Sequence, residues 1–263
     1  MTPKLKVWRT AFETYAVIFQ NLGFLVRYGW AWILLAIVLL SGLDWVFTRF
    51  GYARDGSALT FADFLKSVCD SLITAACLTM FAVAWHRRIL HSVAEAAATP
   101  QMSVVLRYAL VALVLEVTST AAFAMSFLRS GEEPTSLRIV VITGVLLLSS
   151  YLWCRALLLL PAIAIGADMT VTTAWRNTRR NGWRLAASVL LAIAPPITGL
   201  VLFDEFRSKP AAPTGFEPSI PDLMANVSSG VFGGICAVIG IAFLSIAYRE
   251  LVLKRAEATP RPT

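Results

Sequence analysis

Six long apolar stretches dominate this chain: about 28 to 48, 67 to 86, 107 to 128, 138 to 160, 185 to 203 and 227 to 248. A hydrocarbon core of about 30 Å takes roughly 20 apolar residues as helix, and within it every backbone N–H and C=O must be satisfied inside the segment. Charged or proline-rich stretches separate the six windows. Of the 263 residues, 57% are hydrophobic and only 15% charged, against about 25% charged in soluble domains. The expected fold is all-α: a single integral membrane domain over 1–263, with six transmembrane helices as three hairpins and amphipathic helices on the cytoplasmic side. Residues 1–27 read as an amphipathic N-terminal segment, 204–226 as a periplasmic loop with four prolines, and 254–263 as a flexible tail. The first 27 residues lack the short apolar core and cleavage site of a signal peptide, so they are expected to remain in the mature protein.

Orientation follows from the basic residues, which accumulate on the cytoplasmic side of short loops. With the N-terminus inside, 15 Lys and Arg fall on the inner side, including Arg27, Arg87, Arg88, Arg107, Arg176, Arg179, Arg180, Arg184 and Arg249, and 7 on the outer, with Arg155 left aside. Both termini are expected in the cytoplasm. The net charge of +7 is then explained by topology and by anionic lipid headgroups at that face, and no nucleic-acid partner is needed.

Three spans open alike, at Arg27, Arg107 and Arg184, and each return span ends with an aromatic residue near an arginine, at WHRR (85 to 88), YLWCR (151 to 155) and YRE (248 to 250). Such spacing suggests a diverged internal repeat. Ahead of the first span, Leu5, Trp8, Phe12, Tyr15, Phe19 and Leu22 recur every three or four residues on one helical stripe. That helix either lies in the membrane surface or packs under the bundle. A shorter analogue starts after Asp168, a candidate N-cap, and stops at Asn181 and Gly182. Trp8, Trp30, Trp32, Trp85, Trp153, Trp175 and Trp183 are expected at the cytoplasmic boundary, with Trp45 at the far one. Trp8, Trp175, Trp183, Arg176, Arg179, Arg180 and Arg184 form the predicted cytoplasmic interface.

Within the spans, Glu116 has Ala112, Leu113, Ser119 and Thr120 as helical neighbours, a small and polar stripe that faces protein. A charge at the bilayer centre costs about 2.5 to 3.5 kcal/mol, so a partner is expected. Arg155 matches it in depth, at about 14 and 15 Å from the inner boundary. An intramembrane pair of Glu116 and Arg155 is favoured over the alternative, in which Arg155 snorkels and ALLLLPAIAIG sinks as a kinked, half-buried lead into the next helix. Pro195 and Pro196 should kink the fifth span and free carbonyls. Gly230 and Gly234 have the spacing that lets helices approach closely, here against a neighbour in the same chain.

No catalytic residue is assigned: there is no GxSxG elbow, Walker loop or HExxH. No metal site or cofactor is expected either. His86 and His91 stand at a basic boundary, Asp44 and Asp70 read as solvated helix ends, and Cys69, Cys77, Cys154 and Cys236 as small packed thiols.

Residues 151 to 187 contain Tyr151, Arg155, Pro161, Ala174, Trp175, Arg176, Thr178, Arg179, Asn181, Trp183 and Arg184 in one run. The run resembles the six-helix inner-membrane family that includes the membrane domain attached to some glycerophosphoryl diester phosphodiesterases. The resemblance implies a bacterial inner-membrane protein, with the arginine and tryptophan motif serving the hairpin junction. The catalytic barrel of those enzymes has no counterpart in these residues, and no phosphodiesterase chemistry is expected of them. The leading functional expectation is a non-enzymatic, lipid-facing scaffold or accessory protein. The alternative is a small transporter or permease component built on Glu116, Arg155 and the proline kink. A lipid-modifying enzyme comes third, for want of a nucleophile or metal set.

Overall fold

The structure, a computed structural model, describes residues 4–49, 61–91, 101–127, 144, 148, 151–206 and 220–254. All regular secondary structure among them is helical. Helix α1 (Val7–Gln20) bends at Asn21 and passes through the short turns Leu22–Phe24 and Leu25–Gly29, the second of them π-helical, into α2 (Trp30–Arg49). Then come α3 (Phe61–Leu90), α4 (Met102–Phe127), the short α5 (Leu159–Ala164) and α6 (Val171–Thr178), and the long α7 (Gly182–Phe206) and α8 (Ile220–Tyr248). A π-helical turn, Arg249–Leu253, closes the described chain.

Four stretches, Leu22–Phe47, Leu65–Leu90, Gly182–Phe203 and Gly230–Leu253, are long and apolar enough to cross a membrane, with mean hydropathies of 2.0, 1.7, 2.1 and 2.3. Only 11% of the most apolar window of the first is buried against protein. Its outward Leu34, Leu35 and Val38 form a surface that belongs in hydrocarbon. The chain is a membrane protein. These stretches fall on the first, second, fifth and sixth expected spans. Helix α4, 26 residues long, stands at the third, while most of the window at 138–160 lies outside the described residues, as do the tail from 255 onward and the loop residues 207–219. Helices α7 and α8 extend to Phe206 and from Ile220, further into the stretch read as a loop than proline content suggested.

Helix α2 lies between α3 and α8, α7 packs on α8, and α4 on α3. Gly230 and Gly234 of α8 meet α2: a Cβ at either would come within 2.9 Å of the side chain of Ile37 or Ile33. This close approach is the reason for glycine there, and it lies within the one chain as expected.

Helix α1 straps the basal end of this bundle. Just before it, Leu5 is held at the start of α7, where its N–H donates to Asn181 Oδ1 and Arg184 donates to its carbonyl, both at 2.9 Å. Glu13 then pairs with Arg249 below α8, and beyond α1 Asn21 accepts from Arg88 at the end of α3. The face turned to protein takes only Leu5 and Tyr15 from the predicted stripe. Thr10, Ala11, Thr14, Val17 and Ile18 are buried, whereas Trp8, Phe12 and Phe19 are 65%, 68% and 70% exposed. Small residues give the closer helix contact, and the bulky rings remain for the lipid side.

Helix α7 continues through Pro195 and Pro196. A proline has no N–H, so the carbonyl four residues earlier loses its helical donor; for Pro196 that carbonyl belongs to Ala192. Tyr15 of α1 donates its hydroxyl to Ala192 O. Burial, and secondarily the neighbouring Cys236, pushes the Tyr15 phenol above its ordinary value, which keeps it a donor. The defect in α7 is therefore repaired by the strap. Tyr15→Phe should lower thermal stability in detergent by about 1–3 kcal/mol, the cost of a buried acceptor left without a partner. Pro196→Ala, which restores the amide, should gain more in that background than in the wild type. An unchanged melting temperature for Tyr15→Phe, or equal gains in both backgrounds, would contradict this coupling.

Candidate functional site

Arg155 and Glu116 are not a pair. The helical residues that precede α5 orient two side chains on opposite flanks, because residues two apart are separated by about 200° around a helix. Trp153 takes the flank facing α4 and donates its indole N–H to Leu115 O at 3.1 Å. Trp153 therefore faces α4, and Arg155 points the other way. It is buried, at 4% exposure. Its Nε donates to Thr178 Oγ1 at 2.8 Å, Nη1 to the Tyr151 hydroxyl at 3.1 Å and Nη2 to Trp175 O at 2.5 Å. The guanidinium also lies 3.6 Å from the centroid of the Trp175 ring and 5.4 Å from that of Tyr151. A planar fork with delocalised charge suits such a cage of neutral acceptors and ring faces, which an ammonium does not fill.

The rest of the 151–187 motif builds this cage. Thr178 donates to Ala174 O while accepting from Arg155. Gly182 is required beside Tyr151, since a Cβ there would stand 2.3 Å from the ring. Trp183 packs on the same ring at 4.8 Å between centroids. Asn181 and Arg184 hold Leu5, as above. Gly166, with φ of 70°, turns the chain from α5 toward α6, and Thr170, not Asp168, caps α6 by accepting from Thr173 N at 3.2 Å. Helix α5 is buried throughout, so ALLLLPAIAIG forms the centre of the basal core and not a half-buried lead-in. Pro161 sits within the first turn of α5, where a missing N–H is tolerated, and Leu160 N serves Leu157 O instead.

Arg176, Arg179 and Arg180 stay exposed, as do Trp175 and Trp183. Thr172, Thr173, Trp175, Arg176 and Arg179 line an open basin of about 390 Å³. Trp8, Trp30 and Trp45 are outward, whereas Trp85 is fully buried and Trp153 faces α4. His86, expected at the interface, is fully buried. Ser245 donates to Ile241 O and therefore accepts from His86 Nδ1 at 2.8 Å, which leaves Nε2 to accept from Tyr108 at 3.1 Å. One neutral tautomer thus links α3, α4 and α8.

Glu116 lines a cavity of about 310 Å³ walled by residues of α3, α4, α5, α7 and α8 together with Trp153 and Cys154. Among the described residues the carboxylate has no hydrogen-bond or ion-pair partner. A second cavity, of about 330 Å³, shares Thr74, Leu78 and Ala237 with the first and reaches Asp44, Lys66 and Asp70. There Lys66 lies 2.7 Å from Asp44 and 2.8 Å from Asp70. Sequence reading placed the two aspartates but missed the lysine between them, although its spacing of four from Asp70 was the available signal. The four cysteines are free, with Cys77 and Cys154 buried. No group of three or more potential metal ligands occurs among the described residues.

At the ends of two return spans, Arg155 fills a cage and Arg249 pairs with Glu13, while Arg184, at the start of α7, grips Leu5. No protein-family model, curated protein or solved structure matches the chain. Its role is therefore argued from geometry.

Arg155→Lys should destabilise the purified protein by about 1.5–3 kcal/mol, the worth of a hydrogen bond to a charged group, despite retaining the charge. Gly182→Ala should act in the same direction by displacing Tyr151. Melting temperatures equal to wild type for both variants would remove the cage from the account.

Proposed function

We propose that the chain is a six-span, non-enzymatic protein of a bacterial inner membrane, with both termini cytoplasmic, serving as a lipid-facing accessory to another membrane process. What supports this reading best is the division of labour in the 151–187 run. Arg155, Thr178, Asn181, Gly182 and Arg184 are engaged in holding the base together. Arg176, Arg179 and Arg180 project outward beside Trp175 and Trp183. Basic side chains at a cytoplasmic surface attract anionic lipid at about 1 kcal/mol each, and amphipathic rings favour the headgroup level. The outward Trp8, Phe12 and Phe19 of α1 extend the same surface.

The permease alternative now rests on Glu116 alone, since Arg155 has other partners. An uncompensated carboxylate on a cavity is the one observation in its favour.

In nanodiscs the wild type should melt at a higher temperature when phosphatidylglycerol replaces part of the phosphatidylcholine, and the gain should shrink at high salt. Arg176→Gln, Arg179→Gln and Arg180→Gln combined should remove most of that gain, about 3 kcal/mol at most, while leaving stability in pure phosphatidylcholine unchanged. Equal gains for wild type and triple variant would refute the lipid-facing assignment of this surface.

A further inference from the structure

Among the described residues, Glu116 stands at an apolar cavity with no side chain to answer its charge. Its wall is built from Leu78, Ala112, Leu115, Leu157 and Ile241, with Glu116 as the sole formally charged residue lining it. Three of the donors nearby are already engaged. Tyr108 donates to His86, Trp153 to Leu115 O, and Thr79 to Ala75 O. At about 310 Å³ the space falls at the small end of ligand sites, which run from about 300 to 1,000 Å³ and combine apolar walls with a few placed polar groups.

An unpaired carboxylate in such surroundings is costly, and a cation that brings its own apolar body relieves the cost on both counts. A hydrated metal ion is a poor match, because no second carboxylate or ring of oxygens lines the wall among the described residues. An anion is repelled. We infer that this cavity binds a lipophilic amine: a cationic ammonium bonded to Glu116, carrying a single hydrocarbon body packed among Leu78, Leu115, Trp153 and Leu157. The site is separate from the basal Arg176, Arg179 and Arg180 surface, and the inference does not rest on that surface binding lipid. Two sources supply the ammonium, a small free amine, which carries the hydrocarbon body directly, and the ethanolamine headgroup of a bilayer lipid, whose phosphate would have to stay outside the cavity.

The test uses the full-length protein in phosphatidylcholine nanodiscs, titrated with decylamine, decanol and decanoate, which share one tail and differ in charge. Decylamine should bind saturably and more tightly than decanol, and decanoate should not compete. Glu116→Gln should weaken decylamine binding about tenfold, as expected for loss of a charge-assisted hydrogen bond, and leave decanol unchanged. Ala112→Phe keeps the carboxylate but fills the cavity, and it should abolish decylamine binding; it decides the matter where Glu116→Gln is not recovered folded. Repeating the titration with phosphatidylethanolamine in the bilayer names the source: loss of decylamine binding assigns the site to the lipid headgroup, and an unchanged isotherm to a free amine. Wild-type affinity for decylamine in Glu116→Gln or in Ala112→Phe, or decanol binding as tightly as decylamine, would overturn the inference.

Discussion

In a bilayer, a polar group withdrawn from the headgroup region has to be answered by the protein, because the surrounding tails offer neither donors nor acceptors. The base of this bundle is organised by that demand at Arg155. Its three engaged nitrogens meet a threonine hydroxyl, a tyrosine hydroxyl and a main-chain carbonyl, and its plane rests on Trp175. Each acceptor then constrains another element. Thr178 and Trp175 fix α6 against the helix before α5, Tyr151 requires Gly182 at the start of α7, and Asn181 and Arg184 fasten the strap that is α1. The same demand accounts for the His86 chain and for Tyr15, which supplies the donor that Pro196 removes.

Much of this was legible in the sequence. Length and hydropathy locate the helices, since a span of about 20 apolar residues has few other uses. Gly230 and Gly234 announce a close helix contact, and Pro195 and Pro196 announce freed carbonyls. Two readings failed for physical reasons. Depth along a helix follows from counting residues, but direction around it does not, and Trp153 determined which flank of its helix meets α4. For α1, periodicity separates two faces without saying which meets protein. In water the bulky apolar face turns inward; here Trp8, Phe12 and Phe19 turn outward, while Thr10, Ala11 and Thr14 allow the close approach. Lys66 was overlooked because a lysine at a helix end looks solvated until its two aspartates are placed around it.

The result is a molecule with two chemical characters. Its base is densely bonded and presents arginine and tryptophan outward, whereas the region above it holds two adjoining cavities separated by Thr74, Leu78 and Ala237. One ends at a lysine shared between two carboxylates, which it compensates in part. The other contains Glu116 with no such compensation. Lys66 and Arg155 thus have bonding partners within the protein, whereas Glu116 has none among the described residues, which is why the architectural and ligand-directed readings attach to different residues.

The central claim, that Arg155 belongs to the basal cage and is independent of Glu116, is tested most directly by two double-mutant cycles on thermal or denaturant unfolding. Arg155→Met with Thr178→Val should be strongly non-additive, while Arg155→Met with Glu116→Gln should add within about 0.5 kcal/mol, as for separated sites. A coupling well above that figure between Arg155 and Glu116, with additivity between Arg155 and Thr178, would contradict the account.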